Sequence, residues 1–433
     1  MASVGFRRVQ EPSSALRRPR MSRREQGRPY PQSIGILHGH RRHVGITIRG
    51  TMAGVNILLS HPSAELYGSD RMVLLAARGL VDRGHTVTAV LPSDGPLALE
   101  LKAAQITVII ADIPVLRKSD MALRPFISLV SKIARSQRDL VRIIRTVRPD
   151  VLYVNTIVQP WWITAGKLMR IPVVVHAREA EPQLSRLLKT AIYSPLFLAD
   201  VVICNSKSTR RDLLEFKPMS RKRLPVVYNG KDWSAFQHGG HRTSASPSTV
   251  RLTVVGRLSP RKGQDIAIRA LAELIAEGTA TTLTLVGDVF AGYEWYESEL
   301  RRIASELNVD DHVSFAGFQP DIRPALAETD IAIVPSRIEP FGTVAAECMA
   351  AGVLTVASNC QGLTEIIDQG RNGLIFPVDD SSALAQACLW ALSHPEEAKE
   401  MTSRAQRDVE EKFSLARYEE EVAEVIQSAV SAK

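Results

Sequence analysis

The sequence predicts an α/β protein made of two doubly wound domains, each a parallel sheet with helices on both faces. Three observations predict this architecture. Apolar, β-branched runs alternate with helix-spaced segments over residues 55–205, and the same alternation restarts at residue 251. The stretch between them, 236–249, is rich in Gly, Ser, Pro and Thr and has no periodicity. A chain of 433 residues with 45% hydrophobic side chains is long enough for two domains of about 150 residues or more.

The first domain is predicted to begin with a buried strand at 55–60, followed by an amphipathic helix over 69–83 that Gly84 terminates. Further strand-like runs lie at 86–91, 107–111, 151–155, 173–176 and 201–205. Because helical spacing separates most of these runs, the strands are predicted to pair in parallel.

The second domain repeats this order. Its predicted strands cover 251–256, 282–287, 312–315, 331–335, 353–357 and 373–376. The predicted organisation is a first domain over 52–235, a linker over 236–249, a second domain over 250–414 and a C-terminal helix over 415–433 that packs back on the first domain. Open α/β sheets bind ligands at the carboxyl ends of their strands, and these ends are expected to face a shared cleft.

Charge is distributed unevenly along the chain. Residues 1–50 hold 11 Arg and 2 Glu without periodicity, which predicts a disordered basic tail over 1–51. The near lack of aromatic side chains there disfavours binding of nucleic acid. Residues 51–233 carry 26 basic and 15 acidic side chains, whereas 234–433 carry 17 and 29. The asymmetry indicates either an anionic partner for the first domain, such as a membrane surface or a phosphate-bearing ligand, or a solvated surface with no partner.

The cysteines and the hydropathy pattern disfavour several classes of protein. The four cysteines, at positions 204, 348, 360 and 388, lack metal-ligand spacing and are too few for a disulfide framework, which favours a reducing compartment. The longest uncharged stretch, 151–166, is shorter than the ~20 apolar residues that cross a bilayer. No apolar segment of the secretory type follows the Arg-rich start, so we expect a cytoplasmic protein.

The strongest chemical motif is a pair of carboxylates, Glu339 and Glu347, with seven residues between them. A strand leads into the motif, Pro340 and Gly342 suit the start of a helix, and a helix N-terminus offers free N–H groups and partial positive charge to a phosphate. Two carboxylates make poor phosphate ligands, so their expected task is to accept hydrogen bonds from hydroxyl groups such as those of sugars. The alternative is that both are ordinary solvated side chains near a helix start.

A second motif, the loop 256–263 (GRLSPRKG), follows the first strand of the second domain and precedes a helix that begins near Gln264. The loop places three cations between two glycines. Arg257 offers a planar fork and Lys262 a compact charge, both suited to a diphosphate, whereas the alternative is a surface turn with capping charges.

These motifs resemble those of the retaining glycosyltransferases of family 4, which have two Rossmann-like domains (the GT-B fold) and an E-x(7)-E signature. The resemblance covers about residues 55–430. It is carried by the loop 256–263, the segments 286–288, 315–318 and 339–347, the sequences Glu365-Ile366-Ile367 and Asn372-Gly373-Leu374, and in the first half by Asn205-Ser206 and Tyr228-Asn229-Gly230 with Asp232. At the first strand-to-helix turn the match is partial, because Ser69 follows Gly68 where the family usually has a second glycine.

The resemblance implies a role for each residue of the motifs. Arg257 and Lys262 would bind the diphosphate of a nucleotide-sugar donor, Glu339 the hydroxyls of the transferred sugar, Glu347 the ribose, and His176 would face the cleft. Four of these are therefore predicted to be catalytic: Arg257, Lys262, Glu339 and His176. The predicted donor-binding residues are Gly68, Gly256, Gly287, Phe341, Gly342, Thr343, Val344 and Glu347.

A sugar transfer that retains configuration suggests front-face chemistry, in which the departing phosphate oxygen accepts the proton of the acceptor hydroxyl. No metal or other cofactor is expected, because cations replace the metal and no Asp-x-Asp motif is present. The expected acceptor is a glycan or a lipid-linked hydroxyl. A sugar-nucleotide epimerase of the same architecture and a non-catalytic nucleotide-sugar-binding protein remain alternatives, whereas the segment 61–68 lacks G-x-G-x-x-G and disfavours an oxidoreductase.

A basic amphipathic segment lies within 117–148, where nine Lys and Arg alternate with aliphatic residues. It indicates either docking on anionic lipid at the inner face of the membrane or a solvated helix face packed on the sheet.

Overall fold

The computed structural model describes residues 54–116, 136–179, 186–236, 249–289 and 292–432. The predicted tail 1–51, linker residues 237–248 and residues 117–135 of the basic segment lie outside these ranges.

The first domain contains a sheet of six parallel strands in the order β3-β2-β1-β4-β5-β6. The strands are β1 (Asn56–Ser60), β2 (Thr86–Leu91), β3 (Thr107–Ile110), β4 (Val151–Val154), β5 (Val173–Ala177) and β6 (Val201–Cys204). The helices are α1 (Gly68–Asp82), α2 (Pro96–Ala103), α3 (described over 136–147), α4 (Trp161–Leu168), α5 (Arg186–Tyr193) and α6 (Lys207–Leu214).

The second domain repeats this topology with the order β12-β11-β10-β7-β8-β9. Its strands are β7 (Val250–Val255), β8 (Thr281–Val286), β9 (Val313–Gly317), β10 (Ile331–Val334), β11 (Leu354–Ser358) and β12 (Leu374–Phe376). Its helices are α7 (Gln264–Ala276), α8 (Glu294–Glu306), α9 (Arg323–Ala327), α10 (Thr343–Ala350), α11 (Leu363–Ile366), α12 (Ser381–Ser393) and α13 (Pro395–Lys412), and a last helix, α14, covers Leu415–Ser431.

All twelve predicted strands are present, with ends within two residues of the predicted ones, and the α/β class with two Rossmann-like sheets is confirmed. In both sheets the first strand lies beside the fourth, so the chain reverses its winding direction at β1 and at β7. Ligands bind beyond the carboxyl ends of the strands at such a switch point.

Each sheet buries side chains on both faces. In β1, Ile57 and Leu59 belong to one apolar cluster and Leu58 to another, as the period of two in a strand requires. The helix α14 packs against α1, and its Tyr418 lies in the first of these clusters. The last helix therefore completes the core of the first domain, although it follows the second domain in sequence.

The chain passes between the domains twice, around Lys231 and around Ser414, and these two crossover segments pair in parallel. Gly230 lies against the second segment so closely that a Cβ atom there would come within 2.3 Å of the Ser414 carbonyl oxygen. The crossover is therefore a close backbone contact that a side chain at position 230 would disrupt.

The described part of the basic segment belongs to the first domain. Leu140 and Ile144 of α3 are buried in its core, whereas Arg138, Arg142 and Arg145 are exposed. These two aliphatic side chains are therefore unavailable to lipid, and the arginines form the solvent face. No described helix combines the length and the apolar composition that crossing a bilayer requires.

Candidate active site

The loops after β7 and β8 meet at the carboxyl edge of the second sheet. Gly287 has φ +146°, and a Cβ atom there would lie 2.1 Å from the carbonyl oxygen of Gly256. Gly256 has φ +150° and lies beside the aliphatic part of the Lys262 side chain. A Cβ atom at position 256 would lie 3.7 Å from the nearest carbon of that side chain. These glycines allow the two loops to pack closely and bring Lys262 over the end of β7.

The predicted cation and carboxylate of the second domain are in contact. Lys262 Nζ donates a hydrogen bond to Glu339 Oε2, and the two side chains are 27% and 13% exposed. The backbone of Glu339 is held at both ends, since its N–H donates to Gln361 Oε1 at 2.7 Å and its carbonyl accepts from the Gly362 N–H at 3.0 Å. The backbone of Glu339 is thus fixed, whereas the side chains of the pair remain partly open to solvent.

The helix α10 begins directly after this pair. Gly342 precedes it with φ +109°, a conformation that favours glycine, and no side chain caps the helix. Within the described chain, no hydrogen bond from the N–H groups of Thr343 or Val344 is found. The helix therefore presents unused donors and a positive dipole end beside the ion pair. The ring of Phe341 is buried against Tyr228 and leaves only the backbone of that residue for a ligand.

Arg257 is oriented by a residue of the first domain. Its guanidinium carbon lies 3.3 Å from the centre of the Tyr67 ring, and the same ring makes an edge contact with Phe318 of the second domain. Gly68 follows Tyr67 at the start of α1, and open space surrounds the position that a Cβ atom would take there. The turn that matched the family only in part thus contributes an aromatic platform for Arg257.

The Tyr67 turn is anchored by a buried pair. Asp70 accepts hydrogen bonds from the Tyr67 N–H at 2.9 Å and lies 2.7 Å from His61 Nε2. Burial acts to raise the pKa of Asp70, but the hydrogen bond to His61 and the nearby positive charges outweigh it, so the pKa is lowered. Asp70 therefore remains ionised below Arg257 and Tyr67.

His176 is fully buried at the end of β5 and does not join the other predicted residues. Its Nδ1 lies 2.8 Å from the Tyr153 hydroxyl and 3.3 Å from Arg178 Nη2. A guanidinium only donates, so Nδ1 accepts and the proton of the neutral ring lies on Nε2, which is buried without a partner. Burial, aided by the charge of Arg178, lowers the pKa of His176 well below its ordinary value.

Arg178 is the centre of a buried polar layer that the sequence analysis missed. Its guanidinium donates to Asn155 Oδ1 at 2.8 Å, Asn229 Oδ1 at 2.8 Å and the Tyr418 hydroxyl at 2.7 Å. No carboxylate among the described residues forms a salt bridge with it. We use "buried polar layer" for His61, Asn155, His176 and Arg178, which all lie at the carboxyl edge of the first sheet.

The layer reaches the second domain through Asn229. The side-chain amide of Asn229 donates to Thr343 Oγ1 at 3.1 Å, at the first residue of α10. Glu347, one turn into the same helix, accepts a hydrogen bond from Lys231 Nζ at 2.7 Å. Neither Arg178 nor Lys231 was predicted as a site residue. Arg178 lies two residues after His176, and Lys231 occupies the variable position of the Asn-Gly-x-Asp sequence.

Lys262 and Glu339 are in contact, Arg257 lies in the same loop as Lys262, and Glu347 lies one turn into the helix that begins beside this pair. We refer to these four residues as the donor cluster, after the role that the resemblance implies. The described residues include no group of three or more His, Cys, Asp and Glu side chains that could hold a metal ion. All four cysteines are buried, and burial raises the pKa of the Cys360 thiol to about 11.

The fold has two doubly wound parallel sheets, with an ion pair beyond the carboxyl edge of the second, and this defines a ligand-binding α/β protein with two Rossmann-like domains. Comparison with known families gives its class. A model described as "Glycosyltransferase Family 4" matches residues 67–234, and one described as "Glycosyl transferases group 1" matches residues 244–408. The chain belongs to this family of GT-B glycosyltransferases, which confirms the resemblance noted in the sequence.

Individual relatives are distant. The chain is 29% identical over 216 residues to a D-inositol 3-phosphate glycosyltransferase of Nocardia farcinica, which is 48% of each protein. It is 28% identical over 281 residues to a glycogen synthase of Mycobacterium tuberculosis, 62% of this chain and 66% of that protein. The match thus spans between about half and two thirds of these curated relatives. Among solved structures, HepE of Anabaena in complex with UDP has a TM-score of 0.70 at 25% identity, covering 86% of this chain and all of HepE.

Proposed function

We propose that the protein is a retaining glycosyltransferase that moves a sugar from a nucleoside-diphosphate sugar to a hydroxyl of a glycan or a lipid-linked acceptor. The observation that carries the proposal is the contact between Lys262 and Glu339 beside the uncapped start of α10. A cation and a helix N-terminus can bind a diphosphate, and a carboxylate can accept hydrogen bonds from the hydroxyls of a sugar. These are the groups that a diphosphate joined to a sugar requires.

The donor would exchange partners with the ion pair. Its diphosphate takes the charge of Lys262 and the N–H groups of Thr343 and Val344, and the carboxylate of Glu339 turns to the hydroxyls of the sugar. Arg257, held over Tyr67, adds a second cation from the same loop. The partial exposure of Lys262 and Glu339 permits this exchange without unfolding of the site.

In the proposed reaction the bond between the anomeric carbon and the phosphate oxygen breaks, and its electron pair stays with the phosphate. The acceptor oxygen bonds to the anomeric carbon on the same face, and its proton moves to the departing phosphate oxygen. Arg257 and Lys262 stabilise the negative charge that develops there, an effect typically of about 3 kcal/mol per group. The reaction balances without a metal, so undiminished turnover in EDTA is expected.

The complex of HepE with UDP makes UDP-sugars the first donors to test. A thermal-shift screen of UDP-, GDP- and ADP-sugars is the direct measurement, because a ligand that binds only the folded state raises the melting temperature. Stabilisation by none of the three would contradict the proposal. Release of nucleoside diphosphate only when an acceptor is supplied separates transfer from epimerisation and from binding without turnover.

We further propose that the protein acts in the cytoplasm, at the inner face of the membrane when its acceptor is lipid-linked. The exposed arginines of α3 and the excess of basic residues in the first half support contact with anionic headgroups by charge. Sedimentation with anionic and with neutral liposomes at low salt tests this, and equal recovery with both would refute it.

A further inference from the structure

Glu347 depends on a single lysine for compensation of its charge. Its side chain is 11% exposed, and in the described part of the chain Lys231 is the only cation that forms a salt bridge with it. A carboxylate removed from water to this extent is costly unless an opposite charge or hydrogen-bond donors face it. Among the described residues, the negative charge of Glu347 is therefore compensated by Lys231 alone.

Lys231 itself is held by the crossover between the domains. Its N–H donates to the carbonyl of Phe413 at 3.1 Å, on the second crossover segment. Its Nζ lies 4.5 Å from the centre of the Phe236 ring, while it donates to Glu347 at 2.7 Å. Backbone and ammonium group are thus both fixed, so the lysine holds one carboxylate oxygen of Glu347 in one direction.

The hydrogen-bond acceptor positions that Lys231 leaves unused on the Glu347 carboxylate suit a diol. A carboxylate has about four acceptor positions on its two oxygens, and Lys231 uses one of them at Oε1. The others can accept hydrogen bonds from the two vicinal hydroxyls of a ribose, provided that the carboxylate keeps its orientation.

We infer that Lys231 is a positioning residue that orients Glu347 toward the ribose of the nucleotide donor, so that recognition of the ribose depends on the interdomain crossover. The inference rests on the proposed function, because it concerns the same donor. It predicts that removal of the ammonium group weakens binding only of nucleotides that carry the ribose hydroxyls.

The test compares UDP, or GDP or ADP where the screen selects one of those, with its 2′,3′-dideoxy analogue by titration calorimetry. Lys231→Met is expected to raise the dissociation constant of the nucleotide about tenfold and that of the dideoxy analogue less than twofold. Glu347→Gln should show the same selectivity. The double variant should bind no more weakly than Glu347→Gln alone, because the two residues act through one contact.

Lys222→Met is a matched control in the first domain. Like Lys231, Lys222 lies over a phenylalanine ring, with Nζ 4.8 Å from the centre of the Phe197 ring, and its Nζ donates one hydrogen bond. This variant should leave both ligands unaffected. Lys231→Arg, which keeps the charge at the crossover, should recover part of the affinity for the nucleotide and provides a folded variant if the methionine substitution fails to fold.

An equal loss for the nucleotide and its dideoxy analogue, or no loss for either, would overturn the role of Lys231 while leaving the proposed function intact. Failure of the unaltered protein to bind any of the three nucleotides would overturn both.

Discussion

The donor cluster and the buried polar layer lie at the carboxyl edges of two sheets with the same topology, yet they are built differently. In the donor cluster, Lys262 is 27% exposed and has one carboxylate partner. In the buried polar layer, Arg178 is 8% exposed and donates to three oxygens from three distant parts of the chain. Side chains with one partner and access to solvent can exchange that partner for a ligand, whereas a buried arginine with several hydrogen bonds resists change.

The comparison separates binding chemistry from the framework that supports it. Substitutions in the donor cluster should reduce turnover more than they reduce stability. Substitutions in the buried polar layer should reduce stability first.

The largest effect is expected for Arg178→Leu. The substitution leaves the side chains of Asn155, Asn229 and Tyr418 buried without their donor, so the free energy of unfolding should fall by about 3 kcal/mol. Urea denaturation measures it. Arg142→Leu, on the exposed face of α3, is the control and should change stability by about 0.5 kcal/mol or less. A stable Arg178→Leu protein would show that the layer is not a framework.

Lys262→Ala should have the next largest effect, mainly on turnover. Loss of one charge that stabilises the leaving group should lower kcat about 100-fold, or about 2.7 kcal/mol. The substitution also leaves Glu339, which is 13% exposed, without its cation, so the free energy of unfolding should fall by a smaller amount. Steady-state assays of nucleoside diphosphate release measure turnover, with Arg261→Ala in the same loop as the control. Near-normal turnover of Lys262→Ala would remove Lys262 from the mechanism.

The same division explains which features could be predicted from sequence. The donor cluster consists of short segments that each follow a strand, such as 256–263 after β7, so residue types and spacing within about ten residues indicated it. The positions of the strands could also be predicted from local sequence. Both sheets are buried on two faces, so each strand is a nearly continuous run of apolar residues.

The buried polar layer carries no such local signal. Arg178 meets Asn229 and Tyr418 across 51 and 240 residues, contacts that only the folded topology creates. His176 was correctly placed at a strand end, but its burial follows from the side chains of Tyr153 and Arg178 packed around it, which the sequence pattern did not indicate. The contact of Tyr67 with Arg257 was missed for a similar reason, since the two residues belong to different domains.

The contact of the donor cluster with the first domain is tested by Tyr67→Leu. The guanidinium of Arg257 lies over the Tyr67 ring, both residues are partly buried, and a cation–π contact of this kind contributes about 1 to 2 kcal/mol. Loss of the ring should therefore lower kcat/KM about tenfold through misplacement of Arg257. Tyr67→Phe keeps an aromatic face and should retain most of the activity. If both variants lose activity equally, the hydroxyl and not the ring face is the important group.

The smallest effect concerns His176 and appears only in acid. Burial and Arg178 lower the pKa of His176 in the folded protein, so the unfolded chain takes up a proton first as the pH falls. The free energy of unfolding is therefore highest above pH 6.5, about the pKa of histidine in the unfolded chain, where the ring is neutral in both states. It decreases as the pH falls from there toward the lower pKa of His176 in the folded protein.

His176→Asn keeps an acceptor near the position of Nδ1 but cannot titrate. Between pH 7 and pH 6 the unaltered protein should therefore lose about 0.7 kcal/mol of unfolding free energy relative to the variant. Urea denaturation at the two pH values measures the difference, in which the other titrating groups cancel. A difference that does not change with pH would mean that His176 is charged or exposed in solution. His176 would then be a cleft residue, as the sequence predicts, and not part of the buried polar layer.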